Sequence, residues 1–127
     1  MKANVMKQLA FQGLYEKAMS AGAVAGFAVL PEPMVLQNAD ILGNKYGPIE
    51  VVNEGCCGFA WVIIKGNSGF AKWAKANGFA KPAYGGGLRF WIGGYGQSLE
   101  RKLAHADAMA LLLNEAGIEA YADSRMD

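Results

Sequence analysis

The 127-residue chain is poor in the residues that most often announce chemistry or location. It has two cysteines and one histidine, and the cysteines, Cys56 and Cys57, are neighbours. Adjacent cysteines bridge each other only in strained geometry, and no second pair exists to build a disulfide framework. A reducing, cytoplasmic setting is therefore expected. Two adjacent thiols and a distant His105 match no zinc spacing, and neither a Walker nor a dinucleotide fingerprint is present, so no metal or cofactor is expected. Charge of one sign is also missing. Twelve Lys and Arg stand against eleven Asp and Glu, a net of +1, which argues against general duplex nucleic-acid binding. The longest uncharged stretch, Ala18 to Pro31, falls short of the about 20 apolar residues that cross a bilayer. The start of the chain is amphipathic, not a short basic leader, so neither membrane insertion nor export is expected.

What the chain does have is apolar residues, at 53%, and 17 glycines, with only 18% charged residues. Disorder is excluded by that balance, and the length suits one domain with its own core. Val5, Met6, Leu9, Ala10, Leu14, Ala18 and Met19 recur at helical spacing and predict an amphipathic N-terminal helix ending near Gly22. Ala23 to Leu30 reads as a short buried strand closed by Pro31 and Pro33. Gln37 to Gly47 reads as a polar connection and Ile49 to Val52 as a brief edge strand. Phe59 to Lys65 is the clearest strand, and Asn67-Ser68 offers an N-cap to a helix over Gly69 to Asn77. Pro82 to Gly87 reads as a loop and Leu88 to Ile92 as a strand that turns Arg89 away from its apolar neighbours. The longest helix, Ser98 to Ala116, is capped by Gly117 and leads to a last strand, Ile118 to Ala122, with a polar tail. The order predicts a single-domain α+β fold: a small mixed β-sheet with the N-terminal and long C-terminal helices packed on it.

Several short blocks carry a resemblance. They are Pro33-Met34, Gly55 to Val62 (GCCGFAWV), Phe70 with Lys72-Trp73, Tyr84-Gly85-Gly86, Gln97-Ser98 with Lys102, and the terminal Ser124-Arg125-Met126-Asp127. In these the chain resembles a family of small proteins encoded by tailed bacteriophages. The resemblance implies a phage gene product acting in the host cytoplasm and brings no activity or catalytic residue with it.

Candidate site residues concentrate around the glycines between Tyr84 and Lys102. A helix start leaves unpaired N–H groups and partial positive charge, which suit an anion. Gly94, Tyr95, Gln97 and Ser98 precede the longest helix, and Arg89, Arg101 and Lys102 could supply charge. Tyr84 and Tyr95, in glycine loops, are candidate stacking residues, and Arg125 could close over the loops. Against this, such glycines often serve only as tight turns and Ser98 only as an N-cap. Trp61, Trp73, Phe90 and Trp91 could also stack on a base, although strand alternation and one helix face would place most of them in the core, Trp61 and Trp91 included. A Cys56 or Cys57 nucleophile with His105 as base lacks an orienting acid. The expected activity is therefore non-enzymatic: binding of a host protein or a small anionic, nucleotide-like ligand. A virion or homo-oligomeric structural role is the alternative, and a cysteine-dependent enzyme comes third.

Overall fold

Helix-forming residues run further from the N-terminus than the first glycines suggest. The computed structural model, which describes residues 2–52 and 55–127, opens with a 27-residue helix, α1 (Lys2–Ala28). It passes through Gly13, Gly22 and Gly26 without a break, and the strand expected over Ala23 to Leu30 does not form. Glycine weakens a helix without forbidding it, and here the two later glycines let other side chains reach the backbone. A Cβ on Gly22 would lie 2.4 Å from His105 Cδ2, and one on Gly26 would lie 2.5 Å from Tyr95 Oη. The inward stripe is Phe11, Leu14, Tyr15, Ala18, Gly22 and Gly26, while Val5, Met6 and Leu9 are exposed.

The connection expected over residues 37–47 is instead part of a hairpin. Strand β1 (Met34–Ala39) pairs antiparallel with β2 (Lys45–Val52) across a register shift between Leu36 and Asn38. Asp40 Oδ1 accepts from the N–H groups of Leu42 and Asn44, both at 2.9 Å, and Gly43 supplies φ +87° to complete the reversal. Those amides hold the Asp40 carboxyl below its ordinary range. The hairpin forms its own two-stranded sheet and leaves Ile41, Leu42, Tyr46, Ile49 and Val51 exposed.

The main sheet holds four strands in the order β4-β5-β3-β6: β3 (Gly58–Ile64), β4 (Lys81–Pro82), β5 (Leu88–Trp91) and β6 (Ala120–Met126). The α+β architecture is the expected one, but the pairing is antiparallel throughout, not mixed. Helices α2 (Gly69–Ala76) and α3 (Leu99–Glu115) each join strands that run parallel but are not neighbours, β3 to β4 across β5 and β5 to β6 across β3, so every adjacent pair stays antiparallel. The last strand extends to Met126, so Asp123, Ser124 and Arg125 form part of the sheet and not a fraying tail.

Strict alternation along β3 divides the sheet. Ala60, Val62 and Ile64 are buried with Leu88 and Phe90 of β5, beneath Ala106, Met109, Ala110 and Leu113 of α3. Helix α1 lies against α3. Around Tyr15, Phe79 stacks at 4.4 Å and Phe90 and Trp73 lie at 5.8 and 6.1 Å, which joins α1 to α2 and the sheet. Both helix starts are capped as their sequences suggest: Ala71 N–H donates to Ser68 Oγ at 3.0 Å and Arg101 N–H to Ser98 Oγ at 3.3 Å. Asn114 fastens the far end of α3 to β6 by donating to Ala120 O (2.7 Å) and accepting from Ala120 N–H (3.0 Å).

Candidate functional site

The helix start at Ser98 is not open. Ser98 is completely buried, and its N–H donates to Tyr95 O. Leu99 N–H donates to Cys56 O, Arg101 N–H to Ser98 Oγ and Lys102 N–H to Ser98 O, while Gln97 O accepts from Gly58 N–H. The amides of Ser98, Arg101 and Lys102 are thus taken within the turn and that of Leu99 by the segment that enters β3, which pairs Cys57 with Ser98 as an isolated bridge. The nearby cations are also engaged. Arg101 Nε donates to Val29 O at 3.3 Å, and Lys102, 6% exposed, donates from Nζ to Gly58 O at 3.0 Å.

Tyr95 serves the core. Its residue takes φ +61° between Gly94 and Gly96, turning the ring against Phe27 (5.0 Å) and bringing its hydroxyl to His105 Nδ1 at 2.7 Å. His105 is 4% exposed, and its Nε2 is buried with no hydrogen-bond partner. Desolvation pushes its pKa below the ordinary imidazole value and raises that of the Tyr95 phenol. Neither ring nitrogen therefore bonds a thiol, and Cys56 and Cys57 are free and half-buried. The nucleophile-and-base arrangement is not assembled. Among the described residues, no group of three or more His, Cys, Asp or Glu could hold a metal, and no helix is long and apolar enough to cross a membrane.

The side chains that do converge stand on the other face of the sheet. Its outward residues form a grid. Lys81, Arg89, Ile63 and Tyr121 make one row across β4, β5, β3 and β6; Trp91, Trp61 and Asp123 make the next; Phe59 and Arg125 make the third. Both tryptophans were expected in the core. Period-two alternation from buried Ala60, Val62 and Phe90 sends them outward instead, and Trp91 is 47% exposed. Their rings stack at 5.6 Å with 6° between planes, and Phe59 joins Trp91 at 5.4 Å. The Arg89 guanidinium lies 5.3 Å from the Trp91 ring and 5.7 Å from Trp61. At the opposite end of the grid, Arg125 lies 5.5 Å from Phe59 and Lys102 Nζ lies 5.3 Å from it.

Two hollows adjoin this face. One, of about 530 Å³, is lined by Gly78, Phe79, Lys81, Arg89 and Trp91. The other, of about 460 Å³, includes Ile63, Lys65, Gly85, Gly86, Gly87 and Tyr121. There the Lys65 ammonium is matched by Glu119 at 2.8 Å. Tyr84, in the loop beside Gly85, is fully exposed.

Of the sequence candidates, Arg89 and Arg125 therefore stand on one surface, with Lys102 reaching its Phe59 end from below. Tyr84 flanks it, Gly94 lies in the exposed turn beyond β5, Tyr95, Ser98 and Arg101 belong to the packed helix start, and Gln97 is exposed with its carbonyl bonded to Gly58 N–H. The missed contributors are Lys81, Phe59 and the outward setting of Trp61 and Trp91. Their signal was the same alternation that placed Arg89 outside. Rings fixed on a sheet can stack on planar ligands, and adjacent guanidiniums can pair with anions. Comparison with protein families, curated proteins and solved structures finds no match to this chain.

Proposed function

We propose that the protein is a non-enzymatic binding protein that holds an anionic, nucleotide-like ligand on the outer face of its four-stranded sheet. The observation that supports the reading is the parallel Trp61–Trp91 pair with the Arg89 guanidinium beside both rings, on a partly exposed face. A planar base gains stacking on indole, and its phosphate gains a bidentate partner in arginine. Lys81, Arg89 and Arg125 outnumber Asp123 on the grid, so the face is locally cationic although the chain is near neutral.

Intrinsic fluorescence tests it directly. Trp73, packed against Phe70, Phe11 and Tyr15, is the third tryptophan of the chain and stays unquenched as an internal reference. Titration with a nucleoside monophosphate is expected to quench Trp61 and Trp91, and the quenching is expected to be lost in Arg89→Gln. Unchanged emission at millimolar ligand would refute the assignment.

Self-assembly is a second reading, favoured by the hairpin. Its two strands each have a free edge, and Ile49 and Val51 are exposed on β2. Light scattering would then reveal an oligomer that Ile49→Lys with Val51→Lys dissociates, whereas a monomer at every concentration would exclude it.

A further inference from the structure

The grid is longer than one nucleotide needs. Rows two residues apart are separated by about 6.8 Å and strands by about 4.8 Å, so the Cα atoms of Arg89 and Arg125, two rows and two strands apart, lie about 17 Å from each other. Between them sit three rings that offer more than one stacking position: the Trp61–Trp91 pair and Phe59. A monophosphate has one base and one phosphate and would engage only one end. The ends are also unwalled. A Cβ placed on Gly85 or Gly86, before β5, or on Gly93 or Gly94, after it, would meet nothing within 4 Å. A chain-like ligand lying along β3 and β5 can thus continue past the sheet at either end.

We propose that this face takes single-stranded nucleic acid, two or three nucleotides at a time, with bases on the three rings and phosphates at Arg89 with Lys81 and at Arg125. The inference rests on the reading of the face as a nucleotide-binding surface. Charge complementarity favours this occupant, because three cations face one carboxylate, Asp123, whose Oδ1 accepts from the Ser124 N–H. Duplex is disfavoured because its bases are stacked internally and cannot reach the rings, whereas an unpaired strand presents every base face. Four-stranded sheets that bind single-stranded RNA use aromatic side chains in the same way.

The test is fluorescence anisotropy with labelled ten-nucleotide oligo-U and oligo-dT, competed by uridine monophosphate, a duplex of equal length and oligoglutamate. The single strands are expected to bind at least about tenfold more tightly than the monophosphate, and to weaken as salt rises. Trp91→Leu and Arg89→Gln are each expected to weaken binding by about fivefold to a hundredfold, with the circular dichroism of both variants unchanged. Lys75→Gln, on exposed α2 surface, is expected to have no effect. Binding of either sugar type supports the proposal, and the tighter one identifies it as RNA or DNA. Equal affinity for monophosphate and decamer, both lost in Arg89→Gln, would overturn the inference and leave the nucleotide face standing. Failure of monophosphate and decamer alike would remove both. Equal competition by duplex or oligoglutamate would overturn it in favour of charge alone.

Discussion

Two glycines of one helix should respond to alanine with opposite signs. In α1, an added Cβ at Gly13 meets nothing within 4 Å, whereas at Gly22 it falls 2.4, 2.5 and 2.8 Å from three atoms of the His105 ring. Alanine gains about 0.5–1 kcal/mol over glycine in a helix interior, and at Gly13 that gain is unopposed. At Gly22 the ring must retreat by about 1 Å to reach ordinary carbon contact near 3.5 Å. It cannot slide freely, because His105 is buried and its Nδ1 is tied to Tyr95 Oη at 2.7 Å. Overpacking of this kind costs about 1–3 kcal/mol, and loss of the Tyr95 bond adds about 1 kcal/mol. The net expectation is a destabilisation of about 1–3 kcal/mol for Gly22→Ala and a stabilisation of up to about 1 kcal/mol for Gly13→Ala. Urea unfolding followed by circular dichroism reads both. Equal midpoints for the two variants, or a Gly22→Ala protein more stable than the parent, would refute the packing of α1 on α3 through this contact.

Removing Asn114 should loosen the start of β6, since Asn114→Ala leaves both the N–H and the carbonyl of Ala120 without their side-chain partner; a loss of about 1–3 kcal/mol is expected from chemical denaturation. Ser98→Ala deletes the oxygen that caps α3, and a drop of about 1 kcal/mol is expected by the same measurement. Acidification should destabilise the protein through His105. Its folded pKa lies below the ordinary 6.5, so the unfolded chain takes up the proton first. This contribution is present above pH 6.5 and lost as pH falls through the folded pKa. Melting temperature is expected to decline from pH 7 to 5.5 in the parent and to decline less in His105→Gln; parallel slopes would show that the imidazole is not the sensor.

The elements that could be read from the sequence are those with an unambiguous period or cap. β3 is aromatic and β-branched, α2 follows Ser68, and α3 runs from Ser98 to the Gly117 turn at φ +88°. The errors share a cause. Gly22, Pro31 and the polar run around Asn38 are punctuation whose meaning depends on distant partners. Gly22 passes through a helix because His105, 83 positions later, packs on it, and β1 exists because β2 pairs with it. Asp123 to Arg125 read as a tail beyond the strand over Ile118 to Ala122 because their partner, β3, lies far back in the chain. The site followed the same rule. Alternation sets Arg89 outward, and because Trp91 lies two residues from it on β5 and Trp61 opposite Trp91 on β3, the same phase carries both indoles outward, against the expectation that an apolar strand position faces the core. The engagement of the amides near Ser98 could not be read, since the partner carbonyl of Cys56 comes from a segment more than 40 residues earlier.

Strand β3 writes two surfaces with one stretch of chain, and this fixes what kinds of change it tolerates. Substituting Phe59, Trp61 or Ile63 edits the outward side alone. Inserting or deleting a single residue near the start of β3 instead exchanges the two sides beyond that point, putting the Trp61 indole into the interior and Val62 and Ile64 into water. The outward face can therefore diversify by letter but not by length, and natural or laboratory variation in chain length belongs in the hairpin of residues 34–52, whose sheet is its own.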